Sequence, residues 1–300
     1  MAYLLIALAD LCIAGQFTFN KLYEKKVACG AKHFLAFPVL TAAIAALLFL
    51  CVNKFSLAYG GFSVGLAALN GLVQALSILC GIIVVRMGPM SVYTLFMMLG
   101  GMVLPYLYGV LFLQETPSVC QIIGLFVLIA TLFLSMFLKD RSQGEKKHRA
   151  FYLLCAAVFF LNGGTSIISK AHQIDARALP TYDFMVWFYL FQFAFAAVAF
   201  GVFLLCTRRN ENVPPLRFTG KSALSAVGIS AGYAFCTGIG YIFLLFSTAD
   251  LPVSFLYPIV TGGSVILTTV AAHFFFKEKI KPLMWLNLAL MLAGVILFVF

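Results

Sequence analysis

The stretch from Pro89 to Phe137 occurs twice in this chain, because a shift of 163 positions aligns it with Pro252 to Phe300. The matched pairs are Pro89 with Pro252, Ser91 with Ser254, Gly100 with Gly263, Leu104 with Leu267, Phe112 with Phe275, Glu115 with Glu278, Ala130 with Ala293 and Phe137 with Phe300. Each copy holds a long apolar run, a short polar turn around the Glu and a second apolar run. An internal repeat constrains the fold more than any local motif. A repeat as apolar as this one predicts membrane-spanning helices.

The composition agrees with a membrane protein. Hydrophobic residues make up 63% of the chain and charged residues 10%, whereas a soluble domain carries about 25% charged residues. The net charge of +10 lies mainly in the connections between apolar runs, so it indicates topology and lipid contact and excludes nucleic acid as the expected partner. The eight cysteines are scattered singly without a C-x-x-C pair. Neither a metal site nor a cofactor is therefore expected.

Ten apolar segments are each long enough to span a bilayer, which takes about 20 residues. They are 2–20, 33–52, 62–85, 90–113, 118–138, 150–170, 182–206, 221–247, 252–276 and 282–300. We predict a first five-helix repeat over 1–138, a basic connecting loop over 139–149 and a second repeat over 150–300. Gly15 and Lys21 match Gly164 and Lys170 at an offset of 149 positions. Five helices is an odd number, so the sequence predicts an all-α integral membrane protein with two inverted-topology five-helix repeats, as in secondary transporters.

The positive residues predict how the chain is inserted. Of the 20 Lys and Arg residues, 17 lie in the odd-numbered connections between segments or directly at their edge. Positive residues mark the cytoplasmic side, so we expect both termini outside. The expected location is a plasma membrane of the bacterial inner-membrane type.

The two repeat cores resemble the drug/metabolite transporter superfamily, specifically its ten-helix EamA-like branch. The residues that carry the resemblance are Gly88-Pro-Met-Ser91 to Leu113-Gln-Glu115, and Leu251-Pro-Val-Ser254 to Phe276-Lys-Glu278. Gln114 and Lys277 replace the Gly that this family places before the Glu. The resemblance implies transport of small organic metabolites, often against protons, through a cavity lined by the first, third and fourth helices of each repeat. It also implies cytoplasmic termini, opposite to the orientation that the charges predict.

Asp10 is the clearest candidate functional residue, because it lies about midway along the first apolar segment. A charge buried in a bilayer is costly and marks a functional site by default. Three roles are open to Asp10: proton carrier, counter-charge for a cationic substrate, or partner in a structural polar contact. The small multidrug resistance proteins, relatives of this superfamily, also carry an acidic residue in the first helix.

Polar stripes on the third helices predict a shared cavity. Asn70, Gln74, Ser77 and Gly81 lie on one helical face, and the repeat places Tyr233, Thr237, Gly240 and the adjacent Tyr241 at matching positions in the second half. The alternative is that these side chains only hold helices together. Further candidates for substrate binding lie on the first and fourth helices: Gln16, Asn162, Tyr93, Met97, Tyr257 and Thr261.

Other charged residues are expected to be structural. Lys21 and Lys170 lie near helix ends, where a lysine side chain extends to the membrane interface. Glu115 and Glu278 are expected to cap helices or to form salt bridges. We assign no role to the four histidines.

The sequence therefore predicts a secondary active transporter in the lipid bilayer, with protons as a candidate coupling ion. An ammonium group favours both carboxylates and aromatic faces, so the preferred substrate is a cationic or zwitterionic metabolite such as an amino acid or a quaternary amine. The alternatives are a carrier of a neutral sugar or nucleoside, a membrane enzyme of lipid metabolism, and a channel. No clustered acids favour the enzyme, and no filter-like loop favours the channel. The oligomeric state is left open.

Overall fold

The computed structural model describes residues 2–27, 30–87, 90–139, 149–207, 220–277, 282–298 and 300. These residues form ten helices: α1 (Ala2–Lys26), α2 (Ala31–Val52), α3 (Gly61–Met87), α4 (Met90–Phe112), α5 (Val119–Lys139), α6 (Arg149–Ile174), α7 (Thr181–Thr207), α8 (Gly220–Asp250), α9 (Val253–Phe276) and α10 (Pro282–Leu297). The predicted all-α membrane fold is confirmed. Several helices run past their predicted ends, because Lys, Glu and Gln are good helix formers that continue a helix beyond its apolar part.

The helix lengths suit a bilayer whose hydrocarbon core is about 30 Å thick. Among the described residues, eight helices have the length and apolar composition of a membrane span. In the other two helices the apolar stretches searched, within the described residues alone, are shorter: Val119–Leu134 in α5 and Pro282–Leu297 in α10.

Most of the helix packing joins one half of the chain to the other. Helix α1 packs on α8 and α9 of the second half, and its counterpart α6 packs on α3 and α4 of the first half. The second helices of the two halves, α2 and α7, pack on each other, as do the fifth helices, α5 and α10. This exchange of partners is the arrangement expected of two halves related by a pseudo-two-fold axis.

Two matched contacts show the exchange at the level of single residues. Gly263 on α9 packs against the Asp10 carboxylate on α1, and a Cβ at position 263 would overlap it. In the repeat, Asp10 corresponds to Phe159, which lies 149 positions later, and Gly263 corresponds to Gly100, which lies 163 positions earlier. Gly100 packs against the Phe159 backbone, and a Cβ at position 100 would overlap the Phe159 carbonyl oxygen. Gly100 is therefore needed for close helix approach, because the atoms it meets belong to the backbone, whereas Gly263 meets the end of a side chain.

The fourth helices of the two halves also end alike. Gln114 has φ 56° and Lys277 has φ 53°, and the two residues are 163 positions apart. This left-handed conformation costs a residue with a Cβ roughly 1–2 kcal/mol. The resemblance places Gly at this position, which is the residue that adopts the conformation without that cost.

Glu115 joins the two halves directly after this turn. Its carboxylate accepts hydrogen bonds from the backbone N–H groups of Val253 and Ser254, both at 2.8 Å. These are the first two residues of α9, where a negative charge is favourable. The expectation that Glu115 caps a helix is confirmed, and the helix belongs to the opposite half. Glu278 lies outside the described residues.

Asp183 ties the α2–α3 connection to the start of α7. Its Oδ1 accepts hydrogen bonds from Asn53 Nδ2 at 2.8 Å and from the Ala58 N–H at 2.9 Å. The neighbouring Trp187 indole donates to the Ala58 carbonyl at 2.9 Å. By contrast, Asp175 is partly exposed and pairs with the exposed Arg177, whose side-chain hydrogen bonds lower the pKa of Asp175 to about 2. Exposed pairs of this kind contribute little to stability.

Substituting Gly100 tests the close contact between α4 and α6. In Gly100→Ala the new methyl group meets backbone rather than a movable side chain, so we expect a loss of about 1–3 kcal/mol of stability. Gly228→Ala on α8 is the matched control, because a Cβ there meets nothing within 4 Å and Ala is the better helix former. Thermal unfolding in detergent measures both. Equal transition temperatures for the two variants would contradict the described contact.

Candidate functional site

Two antiparallel helix pairs bring the predicted polar residues together. On α1 and α8, Gly240 packs against Cys12, whereas Phe19 packs against Gly232, so residue numbers rise on one helix as they fall on the other. Between these contacts the Gln16 amide donates a hydrogen bond to the Tyr233 hydroxyl at 3.0 Å. The first and third helices of opposite halves are thus joined by two predicted site residues.

The corresponding pair in the other half, α3 and α6, has its own polar link. Asn70 Nδ2 donates to the Ser169 hydroxyl at 3.2 Å, and the Ser169 hydroxyl also hydrogen-bonds the Tyr241 hydroxyl. Asn70 is fully buried, and its Oδ1 has no hydrogen-bond partner among the described residues. Ser169 is therefore the junction of three helices, since Tyr241 lies on α8.

Hydrogen bonds to α6 bring the fourth helices, α4 and α9, to the same region. Asn162 Nδ2 donates to the Met97 carbonyl on α4 at 2.8 Å. The Tyr257 hydroxyl on α9 donates to the Ser166 carbonyl at 3.4 Å. The side chains of Asn162 and Met97 retain some accessible surface, whereas Tyr257 is buried.

Five tyrosines form a connected group at this junction, which we call the tyrosine cluster: Tyr93, Tyr189, Tyr233, Tyr241 and Tyr257. Their hydroxyls are close enough to interact electrostatically in four pairs: Tyr93 with Tyr233, Tyr189 with Tyr233, Tyr189 with Tyr241, and Tyr241 with Tyr257. Tyr93, Tyr233 and Tyr241 keep some accessible surface, whereas Tyr189 and Tyr257 are buried.

Asp10 lies on a different face of α1 from Gln16. The two residues are six positions apart, which is about 240° around a helix with 3.6 residues per turn. Asp10 packs against Gly263 and is 5% exposed, and its Oδ1 has no partner among the described residues. The structure therefore brings Asp10 to α9 and does not join it to the tyrosine cluster by a described contact.

The remaining predicted residues have less specific surroundings. The Thr237 hydroxyl donates to the Tyr233 carbonyl of its own helix at 2.8 Å. Gln74 and Thr261 are partly accessible. The Thr261 carbonyl accepts a hydrogen bond from Ser264 Oγ at 3.0 Å.

Lys170 corrects one interpretation of the sequence. The prediction that it extends to the membrane interface is wrong, because Lys170 is 9% exposed and its ammonium group donates to the Thr248 carbonyl at 2.5 Å. The neighbouring Gln173 amide donates to the Leu245 carbonyl at 2.9 Å and its oxygen accepts from the Thr248 hydroxyl. The repeat-related Lys21 differs, since its Nζ lies 4.8 Å from the ring centroid of Phe276.

Tyr189 was missed by the sequence analysis. It lies on α7, which is mostly apolar and aromatic, and Asp183 and Gln192 are too far apart in the sequence to form a polar stripe that marks it. Its ring stacks on Phe49 with centroids 5.3 Å apart. Only its contacts with the other tyrosines reveal its place in the cluster. No group of three or more potential metal-binding side chains occurs within the part of the chain that the structure describes.

The geometry can be compared with known proteins. The family model of the EamA-like transporter family matches residues 149–300, which is half of the chain. The chain belongs to the EamA-like transporter family. One solved crystal structure of a protein superposes on this chain with a TM-score of 0.75 and 16% sequence identity. The alignment covers 98% of this chain and 97% of that protein's chain. At that identity the likeness shows the fold alone.

Two curated relatives match shorter stretches. One is the probable 4-amino-4-deoxy-L-arabinose-phosphoundecaprenol flippase subunit ArnE of Hamiltonella defensa subsp. Acyrthosiphon pisum (strain 5AT), 43% identical over 47 residues, or 16% of this chain and 41% of the relative. The other is the uncharacterized protein y4nH of Sinorhizobium fredii (strain NBRC 101917 / NGR234), 40% identical over 55 residues, or 18% of this chain and 47% of the relative. The chain thus spans less than half the length of each curated relative.

Ser169→Ala tests the junction between the three helices. Removing the hydroxyl leaves the Asn70 amide and the Tyr241 hydroxyl without their shared partner, and we expect a loss of about 1–3 kcal/mol of stability. Thr237→Val is the control, because its hydroxyl donates to a carbonyl of its own helix. Thermal unfolding in detergent compares them. A larger loss in Thr237→Val than in Ser169→Ala would refute the junction.

Proposed function

We propose that this EamA-like protein is a secondary active transporter that moves a small cationic or zwitterionic metabolite by alternating access between its two halves. The observation that carries the proposal is the meeting of polar side chains from both halves at the tyrosine cluster. Tyr93 comes from the first half and the other four tyrosines from the second. A group built from both halves can be exposed to either side of the membrane when the halves rock.

The chemistry of the cluster supports the substrate class. Aromatic faces attract ammonium groups, and the attraction strengthens where water is excluded. The amide of Gln16 and the hydroxyl of Tyr233, already hydrogen-bonded to each other at 3.0 Å, can orient polar groups of a bound molecule. Gln74, Met97, Thr237 and Thr261 are the remaining proposed lining residues.

Asp10 is proposed as the proton-coupling residue. Its carboxyl group is buried, and one oxygen has no partner among the described residues. Such a group in the membrane interior can exchange a proton or pair with a passing cation. Its contact with Gly263 on α9 gives a physical route by which protonation would change the packing of the two halves.

A carrier for a neutral metabolite is the second candidate. Amide and hydroxyl donors such as those of Asn70, Gln16 and Tyr233 also suit a sugar or a nucleoside. The curated relative named as a flippase subunit acts, by its name, on a lipid-linked amino sugar, whose amino group and phosphate are charged, so that name does not support a neutral substrate.

A ligand panel distinguishes these candidates. Purified wild type and Asp10→Asn are heated with amino acids, quaternary amines, nucleosides and sugars. A ligand at about 100 times its Kd stabilises the folded state by roughly 2.7 kcal/mol, which is readily measured as a shift in Tm. We expect a cationic or zwitterionic ligand to stabilise the wild type, and its uptake into proteoliposomes to depend on a pH gradient only when Asp10 is present.

The outcomes separate the parts of the proposal. Stabilisation by sugars or nucleosides alone would favour the neutral-metabolite carrier. Transport by Asp10→Asn with unchanged pH dependence would remove Asp10 from coupling. Binding of no ligand in the panel, together with no flux, would refute transport of these classes altogether.

We also propose that the protein lies in a plasma membrane, such as the bacterial inner membrane, with its termini outside and its odd-numbered connections in the cytoplasm. The excess of Lys and Arg in those connections supports this orientation. In a cysteine-free background, a membrane-impermeant maleimide should label Lys54→Cys in intact cells, because Lys54 is exposed on an even-numbered connection. Lys26→Cys, exposed at the other side, should react only after permeabilisation. The reverse pattern would show the opposite orientation.

A further inference from the structure

Two lysines of α1 converge on one aromatic ring of the opposite half. Lys21 Nζ lies 4.8 Å and Lys25 Nζ 4.7 Å from the ring centroid of Phe276, the last residue of α9. Because both lie against the same ring, the two ammonium groups are also close to each other. Like charges in such a pair repel, and an anion that meets both is attracted by both.

The contact with the ring leaves the ammonium groups able to bind another partner. A cation over an aromatic face is held by electrostatic attraction to the ring. It keeps N–H donors for other acceptors, since an ammonium group has three. Lys25 is exposed and Lys21 is partly exposed. The pair can therefore be reached by a ligand from outside the helices.

Positive charge prevails at this edge of the molecule. The apolar segments of α1 and α9 end at residues 20 and 276, so the residues that follow lie at a membrane interface. The described charged residues at these two helix ends are Lys21, Glu24, Lys25, Lys26 and Lys277. Basic side chains at a membrane interface attract anionic headgroups.

Exposed aromatic rings lie next to the lysines. Phe274 and Phe275, the residues directly before Phe276, are 72% and 74% exposed. Trp285 on α10 is 46% exposed, and its ring centroid lies 6.2 Å from that of His273 in the last turn of α9. Aromatic rings at this depth pack against lipid, and tryptophan is enriched there. The edge thus offers apolar surface for acyl chains beside cations for a headgroup.

The opposite membrane face does not repeat this arrangement. The corresponding pairs in the repeat are Lys21 with Lys170, Lys25 with Ile174 and Phe276 with Leu113. Lys170 is buried and donates to a backbone carbonyl. The fold of the two halves is matched without a second lysine or the ring, so packing alone does not require them. The leaflets of a membrane differ in their content of anionic lipid, and a feature at one face suits a ligand from one leaflet.

We propose that Lys21 and Lys25 form a binding site for the phosphate group of an anionic phospholipid, whose acyl chains lie along Phe274, Phe275 and Trp285. The lysines belong to the first half and the rings to the second, so the bound lipid bridges the two halves at this edge. The proposed orientation places the edge in the cytoplasmic leaflet, where anionic lipids give a negative surface potential. The inference does not depend on which substrate is carried.

Fluorescence of Trp285 provides the test. The chain has two tryptophans, so Trp187→Phe leaves Trp285 as the single reporter, close to the site. The full-length protein is reconstituted into vesicles that contain phosphatidylglycerol or phosphatidylcholine with the same dibrominated chains, which quench a neighbouring tryptophan. Mixtures with the unbrominated lipids give the affinity of each headgroup class relative to the other.

We expect the protein with both lysines to prefer phosphatidylglycerol at least tenfold. Lys21→Gln and Lys25→Gln should each lower that preference about fivefold, the usual contribution of one basic residue near an anionic surface, and Lys25→Arg should keep it. Lys26→Gln is the matched control, because it removes the same charge from the same helix end. Lys26 is exposed but is not one of the two lysines against the Phe276 ring, so its loss should change the preference little.

Three results would overturn the inference. Equal quenching by the two brominated lipids would mean that no anionic lipid is selected, and that the lysines only complement the negative end of their helix. An equal effect of Lys26→Gln and Lys25→Gln would assign the preference to diffuse surface charge. Loss of the preference in inorganic phosphate, but not in sodium chloride of the same ionic strength, would show that the site takes a soluble anion.

Discussion

The fold depends on close packing between helices of the two halves of the chain. A helix in a bilayer gains little by burying apolar side chains, so association depends on close packing and on polar contacts. Here the first helix of each half finds those contacts in the opposite half: α1 on α8 and α9, and α6 on α3 and α4. The Gly100 contact with the Phe159 backbone shows how near the helices must come. A half without its partner would leave these surfaces against lipid.

The sequence predicted the parts of this arrangement that depend on hydrophobicity and repetition. The ten apolar segments correspond to ten helices. The offsets of 149 and 163 positions relate the contact between Asp10 and Gly263 to the contact between Phe159 and Gly100. Polar stripes also identified Gln16, Asn70 and Tyr233, whose hydrogen bonds lie between helices. Helix ends were harder, because polar residues with good helix propensity extend a helix beyond its apolar part.

What the sequence could not predict is the depth and direction of single side chains. Lys170 lies four residues from the end of α6, and nothing in the local sequence tells whether such a lysine points to the interface or inward. Tyr189 lies on a helix whose apolar residues are spread around its whole circumference, so helical periodicity gives it no direction. The same limit applies to Asp10, which shares a helix with Gln16 but faces a different neighbour. Only tertiary packing decides these cases.

The cap that Glu115 provides has a consequence for how this protein can vary. Connections between helices usually tolerate insertions and substitutions, because few other residues depend on them. The α4–α5 connection is different, since its carboxylate holds the backbone of Val253 and Ser254, which are 138 and 139 positions away along the chain. A change of length at this surface turn would therefore disturb the start of α9 in the opposite half. Homologues with a different length in this turn are therefore expected to begin that helix at a different residue as well.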